Sequence, residues 1–325
     1  MIVADGNSTT GARILAIRGG AIGDFVLTLP ALAALHRKFP GCDMQLLGYR
    51  NTGDLALNCG PEEGTTYASA ARSIEYGPLA AFFAHKGELD PELCEYFKGF
   101  DHVVSWLYDP DRIFAKNLER AGVRNFLASY TPIENDRHAS LQLAHELRGL
   151  GIELTDPAAH LIPTAATREC AREWLAARTE PRDRRPLIAI HPGSGSTKKN
   201  WPVGHWRSLG DRAAAVRARL LIIGGEADTA SLDYLEKKLE IHTPILARHL
   251  PLHLVAGLLT HCAAYFGNDT GISHMAAAVG AKCTLLFGPT GPSVWAPVGT
   301  HVHTIRAPGG NLAVLTHDSV PLPSL

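Results

Sequence analysis

The sequence is poor in the features that cross-link a chain, anchor it in a bilayer or grip a polyanion. Its 325 residues include six cysteines, Cys42, Cys59, Cys94, Cys170, Cys262 and Cys283, and no two stand at Cys-x-x-Cys spacing. That scatter argues against a zinc site or a disulfide framework and fits reduced thiols in a cytoplasmic protein. The formal net charge is -1, so the electrostatic argument for a nucleic-acid partner is missing. No apolar run approaches about 18 residues, which leaves only peripheral contact with a membrane open. The first residues lack the basic stretch and apolar run of a secretory signal, so none is expected.

The length points to two domains of roughly 150 residues each. After a polar, Gly-rich leader over 1–12, Ile14 to Ile17 reads as a buried strand and 24–38 as a helix, with Pro30 expected to kink it. Met44 to Tyr49, Val103 to Leu107 and Val123 to Leu127 read as further strands, with helices near 91–98, 111–121 and 138–150. Prolines and a charged run break the pattern over 151–186, and the domain junction is placed there, giving domains 1–163 and 164–325. Alternation then resumes. Leu187 to His191, Leu220 to Ile223, Ala263 to Phe266 and Thr284 to Phe287 are strand candidates. Helices are expected at 167–177, at 229–240, at about 272–279, and on a face marked by Trp206, Leu209, Ala213 and Val216. Strands alternating with helices in both halves predict two doubly wound α/β domains with a cleft between them.

Chemistry-bearing residues cluster where strands end, which is where open α/β sheets collect ligands. Arg18-Gly19-Gly20-Ala21-Ile22-Gly23-Asp24 follows the first strand. The residues alone leave Asp24 two roles, helix N-cap or catalytic base. The full Gly-x-Gly-x-x-Gly dinucleotide fingerprint is absent. His191 to Pro202 is a Gly/Ser loop with Lys198 and Lys199 that leads into a helix. Its amides, the hydroxyls of Ser194 and Ser196 and its lysines suit an anion, but it lacks the Gly-Lys-Ser/Thr ending of a Walker loop, and a plain surface loop is the alternative. Glu226, after Gly224-Gly225, is either a ribose contact or a solvated carboxylate. Gly267-Asn268-Asp269-Thr270-Gly271-Ile272-Ser273-His274 opens a small-residue helix whose first amides suit a pyrophosphate, with His274 either a phosphate donor or structural.

Taken together, residues 17–32, the His-Pro-Gly-Ser-Gly-Ser and Lys-Asn-Trp-Pro elements of 191–202, Gly-Asn-Asp-Thr-Gly-Ile-Ser-His-Met-Ala-Ala-Ala and Phe-Gly-Pro-Thr resemble glycosyltransferase family 9 in order and spacing over 13–300. This family comprises ADP-heptose:lipopolysaccharide heptosyltransferases. The resemblance implies a GT-B fold of two Rossmann-like domains, with the acceptor held by the first and the nucleotide sugar by the second. It also implies inverting transfer without a metal or other cofactor. Asp24 falls on the general base, Lys199 on a donor-phosphate contact, Glu226 on the ribose contact and Asp269 on a donor-sugar contact. Gly193, Ser194, Ser196, Thr270, Gly271 and His274 complete the donor set, while Gly23, Arg50 and Arg120 are the acceptor-side candidates. The implied partners are an ADP-sugar and a lipopolysaccharide-core, lipid-linked or related glycan. The protein is expected to act as a monomer at or near the cytoplasmic face of the inner membrane.

Two features depart from that family. Residues 50–100 hold only Arg50, Arg72, Lys86 and Lys98 as Lys or Arg, few for a phosphorylated acceptor. The Pro-rich tail after Gly299 shows no amphipathic helix to cross back to the first domain. A nucleotide-sugar epimerase and a non-catalytic sugar-nucleotide-binding protein are the alternatives on the same fold.

Overall fold

The computed structural model describes residues 11–322, so most of the leader expected over 1–12 lies outside the described residues. The first lobe runs β1 (Arg13–Arg18), α1 (Ile22–Lys38), β2 (Asp43–Gly48), α2 (Arg50–Asn58), β3 (Cys59–Gly60) and β4 (Ala70–Ser73). It continues with α3 (Pro91–Lys98), β5 (His102–Ser105), α4 (Ile113–Arg120), β6 (Phe126–Ala128), α5 (Ala139–Leu143) and β7 (Ile162–Pro163). The second lobe runs α6 (Ala165–Ala176), β8 (Leu187–His191), α7 (Val203–Ala215), β9 (Arg219–Gly224), α8 (Thr229–Lys238) and β10 (Ile245–Arg248). Its remaining elements are α9 (Leu252–Leu259), β11 (Ala264–Asn268), α10 (Gly271–Ala278), β12 (Cys283–Phe287), α11 (Pro292–Trp295) and β13 (Val302–Arg306).

Each lobe is built on one parallel sheet. The strand orders are β4-β2-β1-β5-β6 and β10-β9-β8-β11-β12-β13. Helices cover both faces, so the central strands are apolar throughout rather than alternating. Ile14 to Ile17 are almost wholly buried, as are Ile188 to Ile190. In both sheets the winding direction reverses beside the lobe's first strand, between β1 and β5 and between β8 and β11. Such reversals open a crevice at the carboxyl ends of the strands. The loops 18–24, 191–202 and 268–274 all leave strands that border these reversals, which explains why chemistry-bearing residues gather on them.

Helix α1 continues through Pro30 to Lys38. A mid-helix proline costs roughly 3 kcal/mol. Burial of Phe25, Val26, Leu29, Leu32 and Leu35 along the same helix offsets it. Trp206, Leu209 and Ala213 form the buried face expected of α7, but Val216 lies beyond its end and is half exposed. The lobes share an apolar core that runs from Leu29 and Leu35 through Leu161 and Ala171 to Met275 and Leu285. The chain crosses between them where β7 pairs antiparallel with β3 and the Leu161 N–H donates to the Ala278 carbonyl. The described tail turns back onto the second lobe. Trp201 Nε1 donates to the Leu315 carbonyl at 2.7 Å, and Leu312, Leu315 and Val320 are buried.

Candidate active site

The first lobe contributes the turn between β1 and α1. Gly20 adopts a φ of +91°, and a β-carbon there would stand 2.7 Å from Asp24 Oδ2. Ala21, in extended conformation, is the N-cap, which places Asp24 at the third helical position rather than at the cap itself. Asp24 Oδ2 accepts the Ala21 N–H at 2.9 Å, the return half of a capping box. Beneath it lies Arg18, 9% exposed, whose guanidinium donates to the Trp106 and Asp24 carbonyls and stands 3.7 Å from Asp24 Oδ1. Burial pulls the Arg18 pKa down, and the Asp24 charge pulls it back up. Arg18 therefore holds the helix start from below, while the Asp24 side chain is 42% exposed toward the cleft.

The second lobe contributes three strand-end loops, pinned to one another by buried polar groups. The Asn268 amide donates to the Pro192 and Gly193 carbonyls and accepts the Trp201 N–H, fixing both ends of the loop after β8. Ser194 Oγ closes the turn within it by accepting the Ser196 N–H. Lys199 Nζ donates to Asp269 Oδ2 at 2.7 Å, and the Thr290 hydroxyl reaches the same oxygen at 2.7 Å. His274 Nε2 lies 3.8 Å from the other Asp269 oxygen. Burial alone would raise the Asp269 pKa, but the nearby His274 and the hydrogen bonds from Lys199 and Thr290 outweigh it and hold the value at about 2. Thr270 caps α10 by accepting the Ser273 N–H, which leaves the Gly271 and Ile272 amides without intrahelical acceptors.

These parts meet at the lobe boundary. A β-carbon on Gly271 would come within 2.6 Å of Ile22 Cβ and 2.7 Å of the Gly23 nitrogen, so α1 and α10 touch end to end. A cavity of about 350 Å³ is lined by Gly23, Asp24, Ser196, Lys199, Asp269, Thr270, Gly271 and His274, with Ala21, Leu27, Gly195 and Trp295. It shares Ala21, Gly23, Gly195, Thr270 and Gly271 with a neighbouring cavity of about 280 Å³. The second cavity is walled mainly by Ile22, Ile223, Ala247, Leu250, Leu252 and Ile272, with His191, Ser194, Asp228, His249 and Thr270 as polar members. One space is polar, with Lys199 set between two carboxylates, and the other is mostly apolar and large enough for a flat base.

Not every expected residue is gathered there. Gly193 lies under the loop, against Asp228, and a side chain at that position would overlap the carboxylate. Glu226 is exposed and lines neither cavity; Asp228, two residues on, does. Arg50 is exposed at the start of α2 and outside both linings. Arg120 lines a separate cavity with His85, Lys86 and Lys116 and bonds to Asn117 Oδ1 and the Gly87 carbonyl. Sequence reasoning missed Arg18, Asp228 and Thr290 as site residues. Thr290 lay within a quoted motif, while Asp228 stands in a run where either acid past the strand end fits.

Fold and site together define a two-lobed GT-B protein with a cleft built from both Rossmann-like halves. The sequence model of glycosyltransferase family 9 (heptosyltransferase) matches residues 137–319, more than half of the chain. The chain belongs to that family. It is 22% identical over 319 residues to lipooligosaccharide heptosyltransferase 2 of Haemophilus influenzae, covering 92% of this chain and 90% of the relative. Among solved structures it superposes on a family 9 glycosyl transferase from Veillonella parvula with a TM-score of 0.76 and 18% identity, covering 94% of each chain. It also superposes on the Escherichia coli heptosyltransferase WaaC with ADP, with a TM-score of 0.67 and 19% identity, covering 94% of this chain and 97% of that one. The chain is thus a glycosyltransferase of GT-B type, related to heptosyltransferases.

Proposed function

We propose that this enzyme moves a sugar, heptose first among the candidates, from an ADP-linked donor to a hydroxyl of a lipopolysaccharide-core or related glycan, with inversion and without a metal. The observation that carries this reading is the meeting of Asp24, from one lobe, with Lys199, Asp269 and the start of α10, from the other, in a single cavity. In this reading the first lobe, residues 1–163, holds the acceptor and the second, 164–325, the donor.

The nucleobase occupies the apolar cavity beside Ile223 and Leu252, and the diphosphate lies across the Gly271 and Ile272 amides. A structure of the related Escherichia coli enzyme with ADP supports adenine as the base. Asp228 takes the ribose contact expected of Glu226, because it alone of the two lines the cavity. As the acceptor oxygen attacks the anomeric carbon, Asp24 removes its proton. The bond to the diphosphate breaks, and its electron pair leaves on a phosphate oxygen. Lys199 and the helix-start amides stabilise that charge where it develops. Lys199 reaches the phosphate by exchanging Asp269, which is then free to accept hydroxyls of the transferred sugar.

The test is a thermal-shift screen of nucleotide sugars, followed by turnover with Asp24→Ala. ADP-heptose is expected to stabilise wild type and variant alike, while only wild type transfers. Undiminished transfer by the variant would remove Asp24 as base, and a wild type stabilised by no nucleotide sugar would remove the donor assignment.

A further inference from the structure

A larger space at strand ends lies apart from the two cavities of the candidate site. About 480 Å³ in volume, it sits on the first lobe beyond the carboxyl ends of β5 and β6, where Ser105 and Ala128 are register partners. Tyr108 and Tyr130 stand at its rim, 69% and 40% exposed, with ring centroids 5.0 Å apart and planes inclined at 59°. Two large aromatic rings left open to solvent at a strand-end cavity call for a ligand. A tyrosine offers an apolar face and a polar tip, which matches the C–H face and hydroxyl edge of a sugar ring.

The two charged groups lining this space are opposite in sign, and each has a partner within the protein. The Asp109 carboxylate accepts the Phe114 and Ala115 amides at 3.2 and 2.9 Å, closing the first turn of α4. Arg112 pairs with Glu119 at 3.2 Å. No other charged side chain lines the cavity, so its chemistry suits an uncharged ring and offers little to a phosphate. The cationic cavity of His85, Lys86, Lys116 and Arg120 shares no lining residue with it.

The tyrosine cavity also borders the catalytic turn. Arg18 joins the Trp106 carbonyl, at the base of the Tyr108 loop, to the Asp24 carbonyl. Leu107, a lining residue, packs against Gly19, where a β-carbon would lie 3.1 Å from its Cδ2. The geometry points to this cavity as the acceptor subsite, in which a neutral sugar ring stacks on Tyr108 and Tyr130 with its reacting end toward Asp24. This assignment rests on the transferase reading and adds the acceptor's chemical class.

The experiment uses the full chain with ADP present and saturation-transfer NMR against neutral methyl hexosides, a methyl heptoside and their monophosphates. The neutral glycosides are expected to bind wild type and Tyr108→Phe. Tyr108→Ala/Tyr130→Ala is expected to weaken them by about tenfold or more, the scale set by loss of two aromatic contacts. In turnover the same double variant raises the acceptor KM and leaves kcat nearly unchanged, the signature of lost uniform binding. Equal binding by wild type and double variant, preference for the monophosphates, or no glycoside binding while ADP binds would each overturn the subsite alone. Failure of wild type to bind ADP would overturn both the subsite and the donor assignment beneath it.

Discussion

In Asp24→Asn the amide oxygen can still accept the Ala21 N–H, so the contact that closes the first turn of α1 survives while the basic oxygen is lost. Transfer is expected to fall by about a hundred- to ten-thousand-fold, the range for losing a general base, with donor affinity and melting temperature nearly unchanged. Initial rates and thermal melts separate the two roles; a variant that melts lower yet transfers normally would leave Asp24 as a cap partner only. Asp269 gives a residue-scale prediction in pH. Its carboxyl titrates at about 2 in the fold against 3.8 unperturbed, so it contributes stability above the higher value and loses it as pH falls through the lower. That contribution is on the order of 2 kcal/mol. Lys199→Met removes one of the three groups that hold the anion, so its melting temperature should lie below wild type near neutral pH. The gap should close as the pH approaches about 2. A gap of equal size at both ends would show that the pair is electrostatically idle. Asp24 was recognisable from its place after a glycine turn, yet its helical position was not. The positive φ of Gly20 starts the helix earlier and makes Ala21 the cap.

Among elements, the contact between α1 and α10 is open to disruption by a single methyl group. Gly271 lies within α10, where alanine is ordinarily favoured by up to about 1 kcal/mol. Here the added carbon would meet Ile22 Cβ and a backbone nitrogen within 2.7 Å, and backbone cannot yield as a side-chain tip does. Steric separation of the two helix starts therefore decides the sign. Gly271→Ala should weaken ADP binding at least about tenfold and reduce transfer with it, as isothermal titration would report. Unchanged ADP affinity would mean that the two helices part without disturbing the donor site. The elements legible in sequence were those with short, β-branched buried runs or clear helical periodicity, such as β8 and α3. Helix α9, Leu-His-Leu-Val-Ala-Gly-Leu-Leu, is apolar nearly all round because it is buried between neighbours, so it carries no period to read. Strand β13 lies at a sheet edge and half exposed, and β4 is an exposed edge of four residues. The Tyr108–Tyr130 cavity was invisible for another reason: its two rings come from different loops, and only the pairing of β5 with β6 brings them together.

At the scale of the whole molecule, the lobes are joined by apolar packing and by a polar contact that requires an uncharged histidine. His138, 9% exposed on the first lobe, donates from Nε2 to the Ala296 carbonyl of the second at 2.9 Å. Its Nδ1 accepts the Ser140 N–H at 3.2 Å, so both ring nitrogens are satisfied only in the neutral form. Burial lowers its pKa, the Ala296 hydrogen bond opposes that shift, and His274 on α10 lowers it further. With the folded value below the unfolded one, the stabilisation is complete above the unfolded pKa of about 6.5. It declines as pH falls through that value toward the folded one, because the unfolded chain takes up the proton first. Acidification is thus expected to loosen the cleft as well as lower the melting temperature. His138→Gln keeps a donor for Ala296 and cannot be protonated, so its melting temperature should fall less steeply between about pH 7 and 5 than that of wild type. His191, His205, His253 and His261, whose values desolvation also lowers, are common to both proteins and cancel in the comparison. Parallel pH profiles for the two would mean that His138 does not titrate as part of the joint between the lobes. A flatter profile for the variant would make His138 the titrating joint between the two lobes.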